Sequence, residues 1–185
     1  MTKKEIRSRI RSLRKALTEE ERKEKSAGIA ARLFRTEEYR SAGALMAYAS
    51  YGSEVQTKDI IRQALADGKK VSLPRVEGDI MLFIENNGLS GCAAGYAGIP
   101  EPQKGDVFEP EKFEGKTLML MPGVGFDPER NRIGQGGGFY DRYLAAHPDM
   151  TTLALSFDCQ IVEHIPTEET DLKPDLIVTE SRIIR

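Results

Sequence analysis

Four short stretches of this chain, GALMAYAS (43–50), TLMLMP (117–122), TTLALSF (151–157) and DLIVT (175–179), are apolar at successive positions rather than at alternate ones. A strand with one wet face alternates. A strand apolar on both sides must be covered on both sides, which is the condition of a parallel sheet between two layers of helices. Helical segments do lie between the runs. Ile6, Ile10, Leu13 and Leu17 recur at helical spacing near the N-terminus, which predicts an amphipathic helix with these four on its buried face. Thr18 and Glu21 have the spacing of a capping box and open a second helix toward Phe34. Thr57 can cap a helix carrying Ile60, Ile61, Ala64 and Leu65, with Gly68 as its stop. KVSLPRV (70–76) and IMLFIE (80–85) flank Glu77-Gly78-Asp79 and read as a hairpin. Residues 88–110 are rich in Gly and Pro and read as an irregular surface excursion. The pattern as a whole predicts an α/β fold around a mostly parallel central sheet.

The chain has 185 residues, which predicts a single domain over 1–185. A net charge of −2 leaves no overall nucleic-acid footprint, although the first fifteen residues set Lys3, Lys4, Arg7, Arg9, Arg11, Arg14 and Lys15 against Glu5 alone. No apolar run reaches the roughly 20 residues of a membrane span, and the basic N-terminus lacks the apolar core of a signal peptide. Two cysteines, Cys92 and Cys159, form no CxxC and are too few for a disulfide framework; two histidines, His147 and His164, make a zinc site improbable. These features predict a cytoplasmic protein with neither a membrane nor a nucleic-acid partner.

The segment NRIGQGGGFYDRYL (131–144) concentrates chemistry. It packs four glycines into residues 134–138, directly ahead of Phe139-Tyr140-Asp141 and a helix from about Gly138 to Ala146. A tight turn needs one or two glycines. A helix N-terminus offers unpaired N–H groups and a partial positive charge, and glycine lets an anion come close to them. Arg132 can add a bidentate contact to phosphate. The loop is not a Walker A motif, because no Lys-Ser or Lys-Thr follows. It is not a dinucleotide fingerprint either, because position 139 is Phe. Residue types alone therefore support an anion site and leave a ligand-free glycine turn as the competing reading. Asp141 suits a helix N-terminus or a Mg²⁺ beside bound phosphates. Tyr140 suits the core or a stack on a flat ring.

The longer run MPGVGFDPERNRIGQGGGFYDRYL (121–144) resembles the signature of the 5-formyltetrahydrofolate cyclo-ligase family. KKEIRSRIRSLR (3–14), YASYGSEVQT (48–57), GIPEP (98–102) and DLKPDLIVTE (171–180) resemble other family segments in the same order, so the resemblance covers essentially the whole chain. It implies a three-layer, Rossmann-like α/β fold. It also implies an ATP- and Mg²⁺-dependent closure of 5-formyltetrahydrofolate to 5,10-methenyltetrahydrofolate, releasing ADP and phosphate. In that chemistry the γ-phosphoryl group turns the formyl oxygen into a leaving group and the substrate's own N10 attacks. Positioning and charge neutralisation then replace a protein nucleophile.

Carried over residue by residue, the resemblance implies ATP contacts at Lys3, Lys4 and Arg7, and along the loop at Arg132, Ile133, Gly134, Gln135, Gly136, Gly137, Gly138, Phe139 and Tyr140. Arg132 and Tyr140 are the catalytic candidates among these. Folate contacts fall on Ala49 and Glu54 and on Gln135, Gly136, Gly137, Gly138 and Phe139, with Tyr51 a neighbouring candidate. The family often has tyrosine where Phe139 stands, so stacking or packing is expected there. Mg²⁺ ligands fall on Asp141 and Asp175. Arg9 and Lys15 read as solvated charge. A monomer or weak homodimer is expected. A sugar-phosphate isomerase or CoA-transferase relative of similar fold is the alternative, and a binding module without activity is a third reading.

Overall fold

The computed structural model describes residues 1 to 185. Helices α1 (Lys3–Ala16), α2 (Glu19–Leu33) and α3 (Glu37–Ser41) precede strand β1 (Ala42–Met46), and α4 (Lys58–Ala66) follows it. Strands β2 (Lys70–Glu77) and β3 (Ile80–Glu85) form the expected antiparallel hairpin. Next come a small ribbon, β4 (Cys92–Ala94) with β5 (Pro100–Pro102), and strand β6 (Lys116–Met121). A second ribbon pairs β7 (Gly125–Phe126) with β8 (Arg132–Ile133). Helix α5 (Phe139–Ala146), β9 (Thr151–Leu155), β10 (Leu176–Val178) and β11 (Ile183–Ile184) complete the chain.

Seven strands form the central sheet in the order β11-β10-β9-β6-β1-β2-β3. The inner pairings β10–β9, β9–β6, β6–β1 and β1–β2 are parallel, and only the edge strands β11 and β3 run antiparallel. The apolar runs explain this arrangement. Leu45, Leu118, Leu120, Leu153 and Leu155 point to one face, where they meet Ile29 and Leu33 of α2 and Ile60 and Ile61 of α4. Their neighbours Met46, Met119, Met121 and Ala154 point to the other face, where they meet Tyr143 and Leu144 of α5 with Phe83 and Phe126. Both faces are buried, so both residue parities must be apolar. The result is a three-layer α/β fold with a mostly parallel sheet, as the apolar runs predict.

Several local expectations shift. Strand β1 stops at Met46, leaving 47–50 as loop. Thr18 and Glu21 form their capping box, and Thr2 and Glu5 form another that starts α1. Gly68 ends α4 at φ +76°. Thr57 sits at the N-cap of α4 without capping it. Its hydroxyl instead donates to Tyr48 O at 2.6 Å and accepts from Ser50 N at 3.1 Å, tying down the loop after β1. Residues 88–110 are not wholly irregular: the β4–β5 ribbon returns to the sheet, where Glu101 accepts from the amides of Val76 and Tyr96, each at 3.2 Å. On α1 the buried positions are Ile6, Ile10 and Arg14, whereas Leu13 is 42% exposed.

Chain direction reverses at the middle of the sheet. From β1 the path moves outward to β2 and β3; from β6 it moves the other way to β9 and β10. The carboxyl ends of β1 and β6 therefore border a crevice, the usual ligand position in open α/β sheets.

Candidate active site

A cavity of about 1490 Å³ occupies that crevice. Three walls enclose it: the glycine loop with the start of α5, one face of α1, and the loop after β1 together with the β4–β5 ribbon.

The glycine loop is held from beneath by Asp127, which is 1% exposed. Its Oδ1 accepts from Asn131 N at 2.9 Å and Glu129 N at 3.0 Å. Its Oδ2 accepts from Asn131 Nδ2 at 2.8 Å and Ile165 N at 2.9 Å. Four accepted bonds fix the β7–β8 ribbon and so fix Arg132 at its end. Arg132 Nη2 donates to Asp141 Oδ1 at 2.7 Å and Nη1 to Pro122 O at 3.3 Å, while the buried Nε has no partner. A buried N–H without an acceptor is costly, and here the residue lines the cavity. The backbone beyond it turns through Gly136 at φ +112° and Gly138 at φ +66°. Both values favour glycine. Gly138 is the N-cap of α5 and brings no capping side chain, so the first-turn N–H groups of the helix are left for a ligand. Ile133 lines the cavity, its side chain joins a buried cluster with Ile6 and Ile10, and its carbonyl accepts from Val124 N.

Helix α1 docks through that same cluster of Ile6, Ile10, Val124, Ile133 and Ile165. A Cβ on Gly125 would lie 2.2 Å from Ile10 Cδ1, so a side chain there would force the end of Ile10 to move. Docking carries the cations to the cavity. Arg7 Nε donates to Gly134 O at 2.9 Å, and Arg11 Nη2 donates to Gln135 Oε1. Lys3 Nζ meets Asp171 Oδ2 at 2.6 Å and Glu168 Oε1 at 3.0 Å. Lys4 stands exposed at the rim; so does Lys15, expected to be merely solvated.

On the third wall Ala49 is buried, and Glu54 Oε2 accepts from Tyr51 N at 3.0 Å. Burial pushes the Glu54 carboxyl above its ordinary range, against the pull of the Tyr51 amide and of Arg14. Burial also raises the Tyr140 phenol, with Glu54 adding to the effect, so the phenol keeps its proton. Phe139 packs edge-on against Tyr96 at 5.3 Å between ring centres, with the Arg142 guanidinium over its ring at 4.9 Å.

The carboxylates need one correction. Asp141 lines the cavity and accepts from Arg132 and, at 3.2 Å, from Leu172 N. Asp175, expected to be the second metal ligand, is not part of the cavity wall. It sits at the amino end of β10, where its Oδ2 accepts from Thr152 N at 2.7 Å and Thr152 Oγ1 at 3.1 Å. The carboxylate beside Asp141 on the cavity wall is Asp171. Burial alone would raise it, but Lys3 and the Glu168 amide outweigh that and hold it below the usual range. Asp171, Arg11, Tyr96 and Glu101 all line the cavity without a signal in residue spacing to single them out. His147, which pairs with Glu111, and His164 lie outside it, so no histidine stands ready as a base.

The cavity thus combines a cation-lined anion cradle, two carboxylates suited to a hard divalent cation and a carboxylate for a donor edge. Relatives share the whole chain that builds it. The family model described as the 5-formyltetrahydrofolate cyclo-ligase family matches residues 1–180. A mouse 5-formyltetrahydrofolate cyclo-ligase is 30% identical, covering 96% of this chain and 93% of the mouse protein. The Escherichia coli K12 protein of that name is 32% identical, covering 94% of this chain and 98% of its own. The solved structure of Aquifex aeolicus 5,10-methenyltetrahydrofolate synthetase superposes with a TM-score of 0.85 at 30% identity, covering 100% of this chain and 93% of the other. With the signature segment forming one wall of the cavity and the match running nearly end to end, this chain belongs to the 5-formyltetrahydrofolate cyclo-ligase family.

Proposed function

We propose that this protein converts 5-formyltetrahydrofolate and ATP to 5,10-methenyltetrahydrofolate, ADP and phosphate. The observation that carries the reading is the orphaned Nε of buried Arg132 beside a glycine backbone and a bare helix N-terminus, across one cavity from Glu54. An anion cradle and a site for a donor edge share one enclosed space.

The residues present fit both ATP and Mg²⁺. Lys3, Arg7 and Arg132, with the amides of Gly136 to Phe139, would hold the phosphates of ATP as second substrate. Asp141 and Asp171 would hold Mg²⁺, which favours one or two carboxylates plus phosphate oxygens. When bound, that ion neutralises charge on the phosphates. The metal role first assigned to Asp175 passes to Asp171 because only Asp171 lines the cavity. Glu54 would accept the N–H edge of the pterin, and Ala49 and Phe139 would pack against the folate.

In the reaction the β–γ P–O bond of ATP breaks as the formyl oxygen takes the γ-phosphoryl group. N10 of the same substrate forms the new C–N bond and gives up its proton to the phosphate or solvent, and the C–O bond breaks as phosphate departs. Arg132 meets charge developing on the transferring group. Tyr140, held protonated, can donate a hydrogen bond but does not serve as a base. Both reacting nucleophiles belong to the substrate, consistent with a cavity that has no histidine in its wall.

The test mixes the protein with 5-formyltetrahydrofolate, Mg²⁺ and ATP and follows the near-ultraviolet absorbance of the methenyl product. Product that depends on ATP supports the proposal. Absence of product from folded protein, together with ATP-independent binding of a sugar phosphate, would favour the isomerase-like alternative.

A further inference from the structure

Helix α1 buries an arginine where its apolar stripe should continue. Ile6, Ile10 and Arg14 occupy successive buried positions, and Arg14 is 6% exposed while the adjacent Leu13 lies open at 42%. A buried guanidinium has five N–H donors to satisfy. Arg14 makes one hydrogen bond, from Nε to Ser53 Oγ at 2.9 Å, and its terminal nitrogens make none within the protein. The residue lines the cavity next to Glu54, yet the two do not close into an ion pair; Glu54 is held instead by the Tyr51 amide. Tyr48, whose hydroxyl is bound to Val55 O, is the other polar group near both. A free guanidinium end and a free carboxylate oxygen thus border one space without neutralising each other.

Resting on the cyclo-ligase reading above, we infer that Arg14 is a specificity-determining residue that donates to the 4-oxo group of the pterin while Glu54 accepts from the neighbouring N3–H and 2-amino group. The pyrimidine edge of a folate presents two donors and then one acceptor. Glu54 complements the donors, and Arg14 complements the acceptor. A 4-amino analogue replaces that acceptor with a donor facing a cation that has only donors to offer, and it also loses the N3–H that faces Glu54. A site built on polar contacts rejects such a mismatch strongly, because its buried groups are left unpaired.

The test is equilibrium binding, without ATP, of 5-formyltetrahydrofolate and of its 4-amino-4-deoxy analogue. The wild-type protein should prefer the oxo compound by about 10- to 100-fold. Arg14→Met should weaken the oxo compound and cut the ratio severalfold, the remainder belonging to the N3–H that faces Glu54, and Arg14→Lys, which keeps a donor and the charge, should restore part of it. A folded Arg14→Met that keeps the wild-type ratio overturns the inference. Should Arg14→Met not fold, an undiminished ratio in Arg14→Lys or equal wild-type affinities for the two compounds would overturn it. Wild-type protein that binds neither compound would instead count against the cyclo-ligase reading itself, which separates the two failures.

Discussion

Glu54 is a carboxylate placed where its charge is costly. Its folded pKa is raised above the ordinary 4.5 by burial, so between 4.5 and the raised value the folded chain keeps a proton that the unfolded chain has lost. Stability from this group is therefore present at low pH and falls as pH rises through that window. Glu54→Gln should melt higher than wild type at pH 7, and the difference should vanish below about pH 4, where both forms are neutral. If Glu54 accepts the pterin edge as proposed, the same variant should bind folate about 10- to 100-fold more weakly. Melting midpoints across pH, set beside binding constants, check both parts; equal midpoints at pH 7 would remove the burial argument. Asp141 is a carboxylate paired with buried Arg132. Asp141→Asn keeps the shape but removes the charge. It should cost about 1–3 kcal/mol of stability and reduce kcat/KM by about 100-fold or more, with a higher Mg²⁺ requirement. Titration of activity against Mg²⁺ reads this directly, and an unchanged profile would count against Asp141 as the proposed metal ligand. Arg132, Tyr140 and Asp141 could be picked out from the glycine signature because their chemistry is local to it. Asp171 could not, since its place depends on a contact with Lys3 across 168 positions of chain.

At the level of elements, α1 forms one wall of the cavity. It is fastened by Ile6 and Ile10 in a small cluster and by side-chain bonds at Lys3, Arg7 and Arg11, and it carries the cations that face the glycine loop. Ile10 is fully buried. Ile10→Ala should destabilise the protein by about 2–4 kcal/mol. If its cations hold the ATP phosphates as proposed, the ATP KM should rise more than the folate KM. Separate KM determinations check this, and equal changes in both would mean that α1 serves the fold alone. The helix itself was legible from its apolar period and the basic run. Its exact face was not: a polar cavity overrides the stripe at position 14, which leaves Leu13 outside. Thr57 shows a similar override. Its position marks the start of α4, but the carbonyl of Tyr48 claims its hydroxyl. Residues 88–110 read as irregular because three-residue strands with Pro at each end of β5 give no periodic signal.

Across the whole molecule, continuous apolar runs announced a doubly covered parallel sheet, and the structure has one. Strand order lay beyond reach, because Leu and Met on opposite faces look alike until neighbours are known. That order decides the site. Opposite chain paths from β1 and β6 open the crevice at their carboxyl ends, and the same geometry leaves Asp175 at the amino end of β10 while Asp171, four residues earlier in sequence, reaches the cavity. If one cavity holds both reactants, as proposed, the formyl oxygen itself receives the phosphoryl group. The direct measurement is turnover of 5-formyltetrahydrofolate carrying ¹⁸O in the formyl group, with mass analysis of the released phosphate. One ¹⁸O should appear in each phosphate formed with product. Methenyl product accompanied by unlabelled phosphate would contradict it.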